Sequence, residues 1–158
     1  MSIKEVVERI IEYFEKNGFK YKIEDESTII TAFPVDNKLG NIKEIINVTD
    51  NSYCVMAKCP LYAEKDYRSC VAELMTRINY GLRFGNFEMD FSDGEILFRL
   101  TKSTFNGLPT DEDIEHSIFL PMSMYSLYGN GFAELIFTDK SPEEIINGIK
   151  ELEVPESK

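Results

Sequence analysis

Between Asn79 and Arg99 the chain reads NYGLRFGNFEMDFSDGEILFR, and few conformations accommodate that pattern. Phe87, Met89 and Phe91 alternate with Glu88 and Asp90, while Ile96, Phe98 and Leu100 alternate with Leu97 and Arg99. A period of two puts each apolar set on one face of a strand. Asp93-Gly94 lies between them and signals a two-residue type I′ turn, in which both central residues need positive φ. Counting outward sets Phe91 against Ile96, Met89 against Phe98 and Phe87 against Leu100 on one face. Glu88 then falls against Arg99 on the other, a cross-strand pair worth roughly 0.2–1 kcal/mol. Upstream, Tyr67, Cys70, Val71, Leu74 and Ile78 recur at helical steps over Glu64 to Asn79, so residues 64–102 read as one helix–hairpin unit.

The flanking chain supplies the rest of an α+β pattern. Over Ser2 to Asn17, Ile3, Val6, Val7, Ile10, Ile11 and Phe14 form a helical stripe. Ser2 with Glu5 makes a capping box, and Asn17-Gly18 a C-terminal stop. Short strands follow around Phe19 to Ile23, Ser27 to Val35, Asn41 to Thr49 and Tyr53 to Cys59. The third competes with a helical reading, and Pro60 is expected to end the meander. Thr110 caps a third helix tracked by Ile114, Ile118, Met122, Tyr125 and Phe132, with a kink or break expected at Pro121 and at Gly129 to Gly131. Ser141-Pro142-Glu-Glu144 opens a last helix, so the C-terminal helices span residues 110–152, with a frayed tail from Val154. The whole, residues 1–158, reads as a single domain. Its expected architecture has two layers, an antiparallel sheet of about six strands with helices mainly on one face.

Composition narrows the class of partner. A formal net charge of −11 argues against nucleic acid or an anionic membrane, which both attract basic patches. Lys16, Lys20, Lys22, Lys38 and Lys43 cluster in the N-terminal third, but acids interleave with them. With 43% hydrophobic residues the chain can build a core without a metal or disulfide staple. The three cysteines, Cys54, Cys59 and Cys70, are odd in number and irregularly spaced. No signal-peptide pattern opens the sequence, and no apolar run is long enough to span a membrane. A cytoplasmic location follows as the expectation.

Asn79, Gly81, Leu82, Gly85, Phe87, Glu88, Asp90, Asp93, Gly94 and Glu95 together carry a family likeness. Asn-aromatic-Gly-Leu, then Gly-x-Phe-Glu-x-Asp, then Asp-Gly-Glu resembles the central signature of the YbjN-type domain. That family is described as a bacterial sensory transduction regulator with a fold like the type III secretion chaperones. Tyr80 stands where the family often carries Trp. The order of elements extends the resemblance from about Phe19 to Leu152. The resemblance implies a secretion-chaperone-like fold and a homodimer, and it brings no catalytic residues.

The remaining constellations support no chemistry of their own. Cys54 and Cys59 are an odd number of residues apart on one strand and face opposite ways, and Cys70 sits on a helical stripe, so buried thiols are expected rather than zinc ligands. Asp90, Asp93 and Glu95 lack the alternation of a calcium loop. His116, the only histidine, has no nucleophile motif beside it. No metal, cofactor or catalytic residue is assigned. The run Phe119 to Tyr128 is rich in Met and Tyr, side chains suited to varied apolar partners. Met122, Met124, Tyr125, Tyr128 and Phe132 are therefore candidate partner contacts, against the plainer reading that Met122 and Tyr125 are core. The functional expectation is a non-catalytic binding or regulatory module recognising another polypeptide in a groove or at a sheet edge. The alternatives are a small-molecule sensor with its ligand near Gly129, enclosed by Tyr125, Tyr128 and Phe132, and an enzyme using acids such as Glu88 or Asp90.

Overall fold

The computed structural model describes residues 2–153. A helix, α1 (Ile3–Asn17), precedes four strands: β1 (Tyr21–Asp25), β2 (Thr28–Pro34), β3 (Asn41–Val48) and β4 (Ser52–Tyr62). A 3-10 turn (Lys65–Tyr67) leads into α2 (Arg68–Asn79), followed by β5 (Asn86–Met89) and β6 (Glu95–Ser103). Two helices close the described chain, α3 (Asp111–Phe137) and α4 (Pro142–Glu153). The strands form one six-stranded antiparallel sheet in the order β1-β2-β3-β4-β6-β5. The α+β class and the strand number are those expected. The tail from Val154 lies outside the described residues.

Binary patterning explains which face is covered. Ile29, Phe33, Ile42, Ile46, Val55, Ala57, Ile96, Phe98 and Phe87 alternate inward along their strands and are all buried. α1 packs on α3 and β3, and it buries Val6, Val7, Ile10, Tyr13 and Phe14. The capping box of Ser2 and Glu5 is complete, and Gly18 takes the left-handed cap with φ 69°. Arg9 and Lys16 both pair with Asp111, which ties α1 to the start of α3.

The hairpin departs from its expected register. Met89 pairs with Ile96, Phe87 with Phe98 and Asn86 with Arg99, so the pairing is offset by two residues. An offset of two keeps every side chain on its face, and so the apolar pattern cannot distinguish the two registers. The loop decides. The Asp90 carboxylate accepts from Ser92 N, Asp93 accepts from Glu95 N, and Gly94 N donates to Asp90 O at 2.7 Å. These bonds close a wider turn in which Gly94 has positive φ (84°) and Asp93 does not. A side chain at Gly94 would collide with the Ala63 carbonyl, whose residue also donates its N–H to Gly94 O. Phe91 is carried out into this loop and is 57% exposed. Glu88 lies opposite Leu97, yet it still reaches diagonally to Arg99 in a two-point contact of 3.0 and 2.9 Å.

Asn79, the last residue of α2, fixes the outer side of this hairpin. Its amide accepts from Phe87 N at 2.8 Å and donates to Phe87 O at 2.9 Å. A side chain thereby supplies the two bonds that a neighbouring strand would otherwise make.

Three further expectations are corrected. β4 continues through Pro60 to Tyr62, and its pairing with β6 shifts between Lys58 and Tyr62; a bulge accommodates a residue without an N–H. α3 is one helix of 27 residues, unbroken at Pro121 or Gly129 to Gly131. The glycines there serve close packing instead: a methyl on Gly129 would lie 2.5 Å from Leu39 Cδ1, and one on Gly131 2.9 Å from Ile145 Cγ2. On α2 the buried stripe is Val71, Leu74, Met75 and Ile78, which leaves Tyr67 and Cys70 exposed.

One inward position breaks the apolar pattern. Glu44 lies between Ile42 and Ile46 on β3, beside Thr31 and Ala57, and is 0% exposed. Neither carboxylate oxygen has a hydrogen-bond partner, and the Thr31 hydroxyl is already committed to Lys20 O. Burial alone raises its pKa well above the usual carboxylate value. A folded-state pKa raised above the unfolded value stabilises the fold at low pH, and that contribution is lost as pH rises through the folded pKa. Stability is therefore expected to fall as pH rises above the ordinary carboxylate range, and Glu44→Gln to remove a slope of up to about 1.4 kcal/mol per pH unit. Chemical denaturation across this range checks it; parallel profiles for the two proteins would contradict a neutral buried carboxyl.

Candidate binding surface

The helical period of α3 determines what its Met and Tyr residues can touch. Positions 118, 122, 125, 129 and 132 share one stripe, and this stripe faces the sheet. Tyr125 and Phe132 are wholly buried and Met122 nearly so. The Tyr125 hydroxyl donates to Ala57 O at 2.9 Å. Around Phe87 the structure gathers Tyr125, Tyr128 and Phe132, with ring centroids 5.4, 6.1 and 5.1 Å from it. Of the five candidate contacts, Met124 and Tyr128 stay at the margin of the core. Gly129 itself packs against Leu39 and Asn37; a cavity of about 310 Å³ opens beside it among Lys38, Leu39, Leu61, Asn130 and Phe137, and Tyr125, Tyr128 and Phe132 do not line it.

The sheet offers two edges of opposite character. β5 is four residues long, is backed by α2, and has its Phe87 backbone bonded by Asn79. Gly85 enters this strand with φ 67°, where a side chain would meet the Phe98 ring at 2.5 Å. β1 has β2 on one side and, among the described residues, no strand on the other, and four of its five residues are exposed, Ile23 by 51%. Lys22 and Glu24 pair along it. Such an edge presents unpaired backbone groups to which another chain can add.

Among the described residues no helix covers the outer face of the sheet, which carries an apolar row. Register places Ile30, Ile45, Met56 and Arg99 side by side across β2, β3, β4 and β6. Leu97 lies in the neighbouring row beside Lys58. The charges here are matched locally, Arg99 with Glu88 and Lys58 with Glu95 at 2.6 Å. The bond to Glu88 raises the Arg99 pKa, against the opposing effect of desolvation. Ile45, Met56, Lys58, Leu97 and Arg99, with Glu88 and Glu95, line a shallow depression of about 550 Å³, of whose lining Ile30 is not part.

Some residues suited to chemistry are engaged in structural bonds, whereas His116 Nδ1 is buried with no hydrogen-bond partner among the described residues. Ser117, next to His116, bonds to Asp113 O and to the Tyr53 hydroxyl, whose pKa burial pushes up to about 12. His116 meets the Phe84 ring edge-on at 5.3 Å. Hydrogen bonds from Ser92 hold the Asp90 pKa below its ordinary value. The carboxyl with a strongly raised pKa is Glu44, which is sealed in the core rather than set in a cleft. It is absent from the residues singled out by sequence, although its inward position between Ile42 and Ile46 is a signal that could have found it. Cys59 is buried and its thiol pKa is pushed up to about 11, whereas Cys54 lies on the outer face 3.6 Å from Arg99 Nη1. Among the described residues no helix is long and apolar enough to cross a membrane.

Comparison with known proteins bears on this architecture. No curated protein matches the sequence. The crystal structure of YbjN from E. coli, described as "a putative transcription regulator", superposes with a TM-score of 0.59 at 13% identity, over 80% of this chain and 93% of that one. A chain of the ExsC–ExsE complex superposes with a TM-score of 0.53 at 13% identity, over 82% and 96%. At that identity the likeness is one of fold, and it agrees with the secretion-chaperone-like architecture that the signature implies. The family model described as "Putative bacterial sensory transduction regulator" matches residues 7–134, which include most of α1, all six strands and the signature hairpin, and the chain therefore belongs to the YbjN family.

Proposed function

We propose that the chain is a non-catalytic regulatory module that works as a homodimer and binds another polypeptide in extended form along β1. The observation that carries this reading is the asymmetry of the sheet: Asn79 closes one edge while β1 leaves the other open. Strand addition uses backbone bonds for affinity and alternate side-chain contacts for selectivity. The resemblance to a chain from a two-protein complex supports the same reading. The free thiols of Cys54, Cys59 and Cys70 fit a reducing cytoplasm.

The second copy is assigned to the outer sheet face. A chain of charge −11 can self-associate only where its own charges are matched. The row Ile30, Ile45 and Met56, bordered by the Arg99–Glu88 and Lys58–Glu95 pairs, meets that condition. Among the Met and Tyr candidates, Met124 and Tyr128 remain as accessory partner contacts.

Two measurements check this reading. Light scattering at micromolar concentration is expected to give twice the 18.2 kDa chain mass, and Met56→Asp to give a folded monomer. A monomeric parent protein contradicts the dimer. Proline is then placed in turn at Lys22 and Ile23, since successive N–H groups point to opposite sides and one faces the open edge. Native mass spectrometry of protein recovered from cell lysate should show a bound polypeptide at fixed stoichiometry that one of these variants loses. Undiminished retention by both would sink the strand-addition model.

A further inference from the structure

The loop between β2 and β3 meets the end of α3, and it is held there as a fixed wall. Val35 N donates to Gly40 O at 2.8 Å, Leu39 N donates to the Asn37 side-chain oxygen at 2.9 Å, and the Asn37 amide donates to Tyr125 O at 2.8 Å. Gly129 has no side chain, and Leu39 lies against it. Leu39 is thereby buried, while Lys38 beside it stays exposed. The cavity of about 310 Å³ opens against this loop, with Leu61 of β4 and Ala133, Glu134 and Phe137 of α3 among its other walls. Phe137 is 72% exposed, an aromatic residue of this lining that the chain itself leaves largely uncovered. A preformed concavity with apolar walls and a few polar groups is the usual form of a small-molecule site, of roughly 300–1,000 Å³.

The charged groups of this lining come from two elements and are of opposite sign. Lys38 stands on the loop, and its ammonium has no ion-pair or hydrogen-bond partner among the described residues. Glu134 stands on α3. Its Oε2 takes Lys140 at 2.6 Å, which leaves Oε1 without a partner among the described residues. An ionised carboxylate accepts at both oxygens, so Glu134 can hold a second cation. The last turn of α3 contains no basic residue, and the partial negative charge of a helix C-terminus adds to that of Glu134. One element thus attracts an anionic group and the other a cationic one, over a shared apolar lining.

We propose that this cavity binds a small zwitterion with an apolar body, of the class of the free aliphatic and aromatic α-amino acids. Its carboxylate pairs with Lys38, its ammonium with Glu134 Oε1 and the last-turn carbonyls of α3, and its side chain lies on Leu39, Leu61 and Phe137. A plain carboxylate would have Glu134 beside it and a plain amine would have Lys38, and like charges at close range work against either. A molecule of no net charge also escapes the repulsion that a protein of charge −11 exerts on an anion. The lining shares no residue with β1 or with the outer-face row, so the site stands or falls independently of polypeptide binding.

The test is a titration of the full chain followed through its amide NMR spectrum. The probes are L-leucine and L-phenylalanine, with leucinamide, which lacks the carboxylate, and isocaproate, which lacks the ammonium. Either amino acid at millimolar concentration is expected to shift the amides of residues 38–40 and 133–138 saturably. Leucinamide and isocaproate should each bind at least about tenfold more weakly than leucine. Lys38→Met should weaken leucine at least about tenfold and leave leucinamide no weaker, because leucinamide has no carboxylate for Lys38 to hold. Glu134→Gln should likewise weaken leucine and leave isocaproate no weaker. These pairings separate a charge contact from a general loss of structure, which would weaken every probe alike. Absence of saturable shifts at those amides with both amino acids overturns the proposal. So does equal binding of leucine and its two analogues to the parent protein, since Lys38 and Glu134 would then select nothing.

Discussion

The bond pair between the Asn79 side chain and the Phe87 backbone is the constraint on which the arrangement of this fold depends. It joins the end of α2 to the outermost strand, and Phe87 in turn is the ring against which Tyr125, Phe132 and Phe98 pack. A shorter acid or an apolar residue at position 79 could not both donate and accept. Without those two bonds the Phe87 N–H and C=O would lack partners at about 1–3 kcal/mol each if buried, or offer an edge for association if not. The same contact therefore contributes to stability, orients the helix layer and decides which side of the sheet stays available.

How much of this is legible in the sequence depends on how far each signal reaches. Capping residues act within one turn: the boxes at Ser2 and Ser141 form as their spacing indicates, and Thr110 caps α3 as expected, with Asp113 completing a box there that the sequence reading did not name. Period-two alternation correctly gives the buried face of the signature hairpin, but it cannot tell registers two residues apart. The loop acids Asp90 and Asp93 make that choice through bonds to Ser92 and Glu95. Gly129 and Gly131 look like helix breakers in isolation. They are packing positions because Leu39 and Ile145, distant in sequence, come to rest against them. The sealing role of Asn79 is likewise out of reach, since it needs the helix and strand already placed. The partner contacts on α3 show the limit most clearly: Tyr125 and Phe132 suit a recognition surface by composition, while the helical period turns them inward.

Glu44 adds a second kind of constraint. Burial without partners disfavours the charged form of this carboxyl and raises its pKa. It makes the core sensitive to pH without taking part in any visible chemistry. Its neighbours across the sheet, Thr31 and Ala57, offer it neither charge nor a free donor. The fold thus combines an apolar interior, an outer sheet face with matched charges and an edge strand that, among the described residues, has no neighbour on its outer side.

Residue-resolved amide hydrogen exchange on the unliganded protein reads which backbone groups along each sheet edge are already bonded. The Phe87 amide should be protected to nearly the degree of central β4 amides despite its place on an edge strand. The edge-facing amides of β1 should exchange at least about a hundredfold faster. Phe87 exchanging as fast as β1 would mean that both edges are open, and the asymmetry on which the binding mode rests would be gone.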